Sequence, residues 1–71
     1  MAKAQWSEIE ELVKPWFDQG LTPDRNDLVG LAYERDASDD VVDALDTLGG
    51  RPVPSLESLK EQLQANGVLE A

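Results

Sequence analysis

Hydrophobic residues near the start of the chain recur at the spacing of a helix. Ile9, Leu12, Val13, Trp16 and Phe17 occupy positions i, i+3, i+4, i+7 and i+8, which places them on one face of an amphipathic helix. The residues between them are mostly charged, so the opposite face is expected to lie in water. This pattern predicts a first helix that packs through a single apolar stripe.

The ends of this helix are indicated by its capping residues. Ser7 with Glu10 three positions later has the pattern of a capping box, and Gly20 is a typical residue just beyond a helix end. Pro15 lies inside the pattern, where a proline removes one helical hydrogen bond and presses on the carbonyl of Glu11. We therefore predict a helix over 8–19 that is kinked at Pro15.

Three shorter amphipathic segments follow, each preceded by a capping residue. Thr22, Ser38 and Ser55 are predicted N-caps, and Pro23 is expected at the first position of the second helix. Together with the apolar spacing, these residues predict helices over 23–35, 39–48 and 56–65. The segment Arg51-Pro52-Val53-Pro54 cannot be helical, because each proline disfavours the helical conformation of the residue before it.

The predicted fold is all-α: a compact bundle of four short helices forming a single domain over 1–71, with its core within about 7–68. Gly30 either allows another backbone to come close or is merely tolerated on the surface, and Leu69-Glu70-Ala71 is expected to fray. The predicted core residues are Ile9, Leu12, Val13, Trp16, Leu28, Val29, Ala32, Val41, Leu45, Leu48, Leu59 and Leu63.

The composition removes several classes of chemistry. The chain has no cysteine and no histidine, which excludes disulfides, a thiol nucleophile, the usual zinc sites and imidazole catalysis. We expect no enzymatic activity, no cofactor and no metal site. There is no apolar signal core at the start and no apolar run of membrane-spanning length. With the lack of cysteine, this favours a cytoplasmic protein that does not bind membranes.

The charge is strongly negative, with 6 Lys and Arg against 15 Asp and Glu and a net charge of −9. Such a chain repels nucleic acid and anionic lipid and favours basic partners, although solubility alone also accounts for the charge. Asp39, Asp43 and Asp46 are spaced i, i+4 and i+7, so they are expected to form a continuous acidic ridge on the third helix. The predicted partner-binding residues are Asp36, Asp39, Asp40, Asp43, Asp46, Leu31 and Tyr33.

The central segment from Leu21 to Leu63 resembles domain-of-unknown-function family 2795, a family of small prokaryotic proteins. The residues that carry the resemblance are Asp27-Leu28-Val29, Ala32, Ala37, Val41, Ala44-Leu45 and Leu48, followed by Arg51 and Ser55. These are mostly core and capping positions, so the resemblance implies a helical fold. It implies no activity, because none is established for the family.

Three specific functions are inconsistent with the sequence. An EF-hand over Asp36-x-Ser38-x-Asp40 lacks the required glycine and the bidentate glutamate. An acyl carrier needs Asp-Ser-Leu at the start of its second helix, and Glu57-Ser58-Leu59 comes too late in the chain. A DNA-binding helix-turn-helix would present an acidic third helix to phosphate. We expect instead a small protein-interaction or adaptor module that docks a basic or mixed protein surface; the alternative is an acidic inhibitor or nucleic-acid mimic occupying a basic groove.

Overall fold

The computed structural model describes residues 3–70. Its four helices are α1 (Trp6–Asp18), α2 (Arg25–Glu34), α3 (Asp39–Asp46) and α4 (Leu56–Ala65). They pack into a body of 31 × 25 × 21 Å, which confirms the predicted all-α bundle of four short helices. None of the helices within residues 3–70 is long and apolar enough to cross a membrane.

A tight corner folds α3 back against α2. Asp36 has a φ of 54°, a left-handed conformation that aspartate accepts better than most residues. The backbone N–H of Ala37 then donates to the Ala32 carbonyl at 2.9 Å. α1 packs against both α2 and α4, so the α2–α3 pair is held on one side of the bundle by the first helix.

Most of the predicted core is buried. Leu45, Leu59 and Leu63 are fully enclosed, whereas Leu12, Val29 and Trp16 are only partly buried and pack against the core from its edge. The buried hydrophobic residues are Ala4, Ile9, Val13, Leu28, Leu31, Ala32, Val41, Ala44, Leu45, Leu48, Val53, Leu59, Leu63 and Leu69. The helical periodicity therefore identified the centre of the core correctly and overestimated its width on α1.

The predicted start of α1 needs correction, whereas α3 starts at Asp39 as predicted. Ser7 lies inside α1, whose N-cap is Gln5 with no side-chain capping hydrogen bond. Ser38 is the N-cap of α3 as predicted, but it makes no capping bond. Its hydroxyl is instead 3.5 Å from a carboxylate oxygen of Glu8, to which it donates a weak hydrogen bond. In the described structure, neither N-cap side chain makes a capping hydrogen bond, and the Gln5 and Ser38 carbonyls accept the first backbone hydrogen bonds of their helices.

The start of α2 lies two residues later than predicted. Asp24, not Thr22, is the N-cap, and it forms a capping box in which the Asp27 N–H donates to the Asp24 carboxylate at 2.9 Å. Pro23 lies outside the helix, and its carbonyl accepts a hydrogen bond from the Val53 N–H at 2.8 Å. The predicted N-cap at Ser55 is confirmed, since its hydroxyl accepts from the Ser58 N–H at 3.1 Å.

α1 continues through Pro15 to Asp18, and the kink expected at Pro15 stays a prediction. Gly20 follows the helix with a φ of 80°, as expected for a residue just beyond a helix end.

The two ends of the described chain are joined. Ala4 and Leu69 form a parallel β-bridge, in which the Ala4 N–H donates to the Val68 carbonyl at 2.9 Å and the Glu70 N–H donates to the Ala4 carbonyl at 2.8 Å. Leu69 is only 8% exposed. The expected fraying is therefore wrong for Leu69 and Glu70, because burial of the leucine and two backbone hydrogen bonds fix them; Ala71 lies outside the described residues.

Candidate functional site

The acidic ridge lies on the outer face of α3. Asp39, Asp43 and Asp46 are all exposed, on the side of the helix opposite Val41 and Leu45, which are buried. Asp36 at the corner is also exposed, whereas Asp40 is half-buried on the flank of the helix. The structure thus brings the three ridge residues together in the arrangement that their spacing predicts.

Within residues 3–70, no side-chain hydrogen bond to a lysine or arginine neutralises this ridge. Among the side-chain hydrogen bonds of residues 3–70, none joins Arg35 or Arg51 to a carboxylate. Both arginines are exposed. The ridge therefore keeps its charge towards solvent, where a cationic group of another molecule can reach it.

Of the two apolar residues predicted for partner binding, only Tyr33 is exposed. It is 68% exposed, whereas Leu31 is 4% exposed and belongs to the core. Leu31 lies three positions after Leu28 and one before Ala32, so all three share the buried face of α2. The placement of Leu31 on the outside was wrong, because the buried face of α2 includes Leu31, whereas Val29, which was predicted to face inward, is only partly buried.

A groove with a volume of about 470 Å³ lies between α1 and the α2–α3 corner. Its lining includes the half-buried apolar side chains of Leu12 and Trp16, which we call its floor. Two carboxylates and one arginine stand among the residues around it. The lining residues are Glu8, Glu11, Leu12, Pro15, Trp16, Gln19, Arg35, Ala37 and Val41. This groove was not among the sites predicted from the sequence.

The α1 side of the groove is one face of the helix. Its residues are Glu8, Glu11, Leu12, Pro15, Trp16 and Gln19, spaced i, i+3, i+4, i+7, i+8 and i+11. This spacing is itself a helical stripe. It overlaps the apolar stripe at Leu12 and Trp16 only, and it adds carboxylates to them. This second stripe, in which acidic and apolar side chains share a helix face, is the feature of the sequence that could have indicated the groove.

The groove continues as an acidic surface towards α3. Glu8 lines both the groove and an adjoining depression of about 240 Å³, where Ser38, Asp40 and Glu70 also lie. Asp40 in turn lines a third depression of about 150 Å³ together with Asp43, a member of the ridge. We call this run of Glu11, Glu8, Glu70, Asp40 and Asp43 the acidic band. It joins carboxylates from α1, α3 and the end of the chain, with Lys3 beside it.

The groups at this site are mostly carboxylates and apolar side chains. No group of three or more carboxylates within residues 3–70 is placed to hold a metal ion. Exposed carboxylates accept hydrogen bonds from lysine and arginine, and the apolar floor can cover a hydrophobic side chain. The site is therefore suited to a ligand that carries both positive charge and an apolar group.

Comparisons with family models, with curated proteins and with solved structures give no match to this chain. The resemblance to domain-of-unknown-function family 2795 stays a prediction.

Proposed function

We propose that this chain is a small acidic interaction or adaptor module that docks a basic or mixed surface of a partner protein. The observation that carries the proposal is the continuity of the acidic band: carboxylates far apart in sequence, from Glu8 to Glu70, line adjoining depressions that run from the groove to α3. A contiguous charged patch favours docking of an oppositely charged surface, because electrostatic complementarity contributes to specificity and to the rate of encounter. We propose no catalytic activity, and we propose a cytoplasmic location because the chain has no cysteine.

Two unfavourable electrostatic interactions on the ridge support the proposal. Asp39 and Asp43 are four positions apart on one helix face, and like charges at this spacing repel by a few tenths of a kcal/mol. Asp46 ends α3, where the helix dipole disfavours a carboxylate. A basic partner that docks on α3 would remove both costs. Drift on a tolerant surface accounts for the same residues without a partner, so an experiment must separate the two.

The test compares two triple variants that remove the same charge. One changes Asp39, Asp43 and Asp46 to Asn, and the control changes Glu34, Glu57 and Glu61 to Gln; the control residues are exposed and line neither the groove nor the acidic band. The immobilised wild-type protein is used to capture partners, which are identified and then titrated against each variant. We expect affinity to fall several-fold for the Asn variant and to stay near wild type for the control.

Salt separates this function from its alternative, an acidic inhibitor or nucleic-acid mimic that occupies a basic groove. Mimicry rests on charge alone and should be lost at high salt, whereas docking that also buries apolar surface should persist at reduced strength. Equal weakening by both triple variants would mean that only net charge matters. Unchanged binding by both would show that the ridge is simply a solvated face.

A further inference from the structure

We infer that the groove between α1 and the α2–α3 corner binds a basic segment of the partner, one that inserts an apolar side chain between lysines or arginines. This inference rests on the proposed function and names the kind of segment that the module recognises. Its elements are the floor formed by Leu12 and Trp16, the carboxylates of Glu8 and Glu11, and the space of about 470 Å³ that they border.

The floor is suited to an apolar anchor. Leu12 and Trp16 remain half-buried after folding, and Pro15 between them is exposed. A volume of about 470 Å³ falls in the range of about 300–1,000 Å³ that is typical of ligand pockets. An aliphatic or aromatic side chain placed there would cover the remaining surface of the Trp16 ring. Aromatic rings covered in this way supply much of the binding energy of protein interfaces.

The polar groups of the α1 face are mostly hydrogen-bond acceptors. Glu8 and Glu11 present carboxylates, which accept and do not donate when ionised. Pro15 has no N–H, so the Glu11 carbonyl lacks its usual helical donor on the same face. Arg35 is the one cation that lines the groove, and no side-chain hydrogen bond within residues 3–70 joins it to a carboxylate. A matching segment must therefore bring donors with positive charge.

A second copy of the chain is a poor occupant of this groove. Each copy carries a net charge of −9, so two copies repel each other at low salt. The flanks of the groove are acidic as well, through Glu8 and Glu11. Charge complementarity thus selects a basic partner over self-association.

The decisive variant enlarges a side chain that lines the groove at the edge of the core. Ala37 lines the groove and is half-buried, so Ala37→Leu adds a side chain to the space that the anchor would occupy. Ala65→Leu is the matched control, because Ala65 is exposed on α4 and does not line the groove. A second pair tests the charge: Glu8→Gln with Glu11→Gln against Glu57→Gln with Glu61→Gln.

The probe is a library of random peptides displayed on phage and selected on the wild-type protein. Enriched peptides are synthesised and titrated in a Trp6→Phe background, where Trp16 is the sole tryptophan. Phenylalanine keeps an aromatic ring beneath Lys60, whose Nζ lies 5.9 Å from the Trp6 ring centroid. Circular dichroism melts show whether each variant is folded. If Ala37→Leu fails to fold, the comparison of Glu8→Gln with Glu11→Gln against Glu57→Gln with Glu61→Gln takes its place.

We expect the enriched peptides to combine lysine or arginine with a leucine or an aromatic residue, and to change the fluorescence of Trp16. Ala37→Leu should weaken them by at least about tenfold, and Ala65→Leu should leave them unchanged. Replacing the anchor residue of the peptide by serine should weaken binding by a similar factor.

The outcomes separate the groove from the broader function. The groove inference would be overturned, and the proposed function left standing, if the enriched peptides were basic but lacked an anchor, were insensitive to Ala37→Leu and bound the ridge. Peptides without basic residues, or no enrichment at all, would overturn both. Selection of acidic peptides would point to Arg35 as the recognition group and would also contradict the inference.

Discussion

Gly30 lies on the exposed side of α2. Among residues 3–70, a Cβ added there would meet no atom within 4 Å outside its own helix, so no other described backbone approaches it and the glycine is only tolerated at this position. Gly67 has equally open surroundings, but its φ is 72°. The two glycines therefore differ in backbone conformation and not in available space, which makes them a matched pair.

Gly30→Ala should raise the free energy of unfolding by about 0.5–1 kcal/mol, because alanine loses less backbone entropy when the helix forms. Gly67→Ala should lower it by about 1 kcal/mol, since a side chain disfavours the left-handed conformation. Urea titrations followed by circular dichroism measure both values. A loss of stability in Gly30→Ala would show that α2 needs the glycine for a contact absent from the described residues.

At the level of the elements, the sequence predicts the helices better than their ends. The stripes of α1 and α3 follow from spacing alone, because a buried helix face repeats along the chain. The start of α2 is marked by two competing local patterns, Thr22 followed by Pro23 and the capping box of Asp24 with Asp27. The hydrogen bond from the Val53 N–H to the Pro23 carbonyl joins residues far apart in sequence, so a local capping pattern cannot report it.

The candidate site likewise has one part that the sequence predicts and one part that it does not. The acidic ridge could be predicted, because Asp39, Asp43 and Asp46 belong to one helix and their spacing fixes a shared face. The groove could not, because it forms between α1 and the α2–α3 corner and depends on how those elements pack. The α1 side of the groove is nevertheless visible in the sequence, as the stripe that brings Glu8 and Glu11 onto the same helix face as Leu12 and Trp16.

The bridge between the two chain ends gives a prediction about the last segment. Leu69→Ala should lower the free energy of unfolding by about 2–3 kcal/mol, the cost of truncating a buried leucine that can partly relax. Leu21→Ala is the control, since Leu21 is 47% exposed and should lose far less. Denaturant titration of both variants gives the comparison. Equal, small losses would mean that the end of the chain frays in solution.

At the scale of the whole molecule, a net charge of −9 is distributed over only 71 residues. No side-chain hydrogen bond within residues 3–70 joins a lysine or arginine to a carboxylate. Repulsion among the carboxylates is therefore weakly compensated and opposes the compact state. Added salt shortens the screening length from about 30 Å at 0.01 M to about 3 Å at 1 M.

The protein should consequently become more stable as sodium chloride is added. A gain of roughly 1 kcal/mol would raise the melting midpoint by about 4–8 °C for a domain of this size. Thermal melts followed by circular dichroism at several salt concentrations measure how the melting midpoint changes with salt.

The variant with Asn at Asp39, Asp43 and Asp46 should start from a higher midpoint and respond less to salt, because three clustered charges are gone. The control with Gln at Glu34, Glu57 and Glu61 removes equal charge from two helices, α2 and α4, where only Glu57 and Glu61 share a helix face, and it should respond between the two. A midpoint that falls with salt would show that attractive ion pairs dominate, and the carboxylates of the ridge would then already be satisfied within the chain.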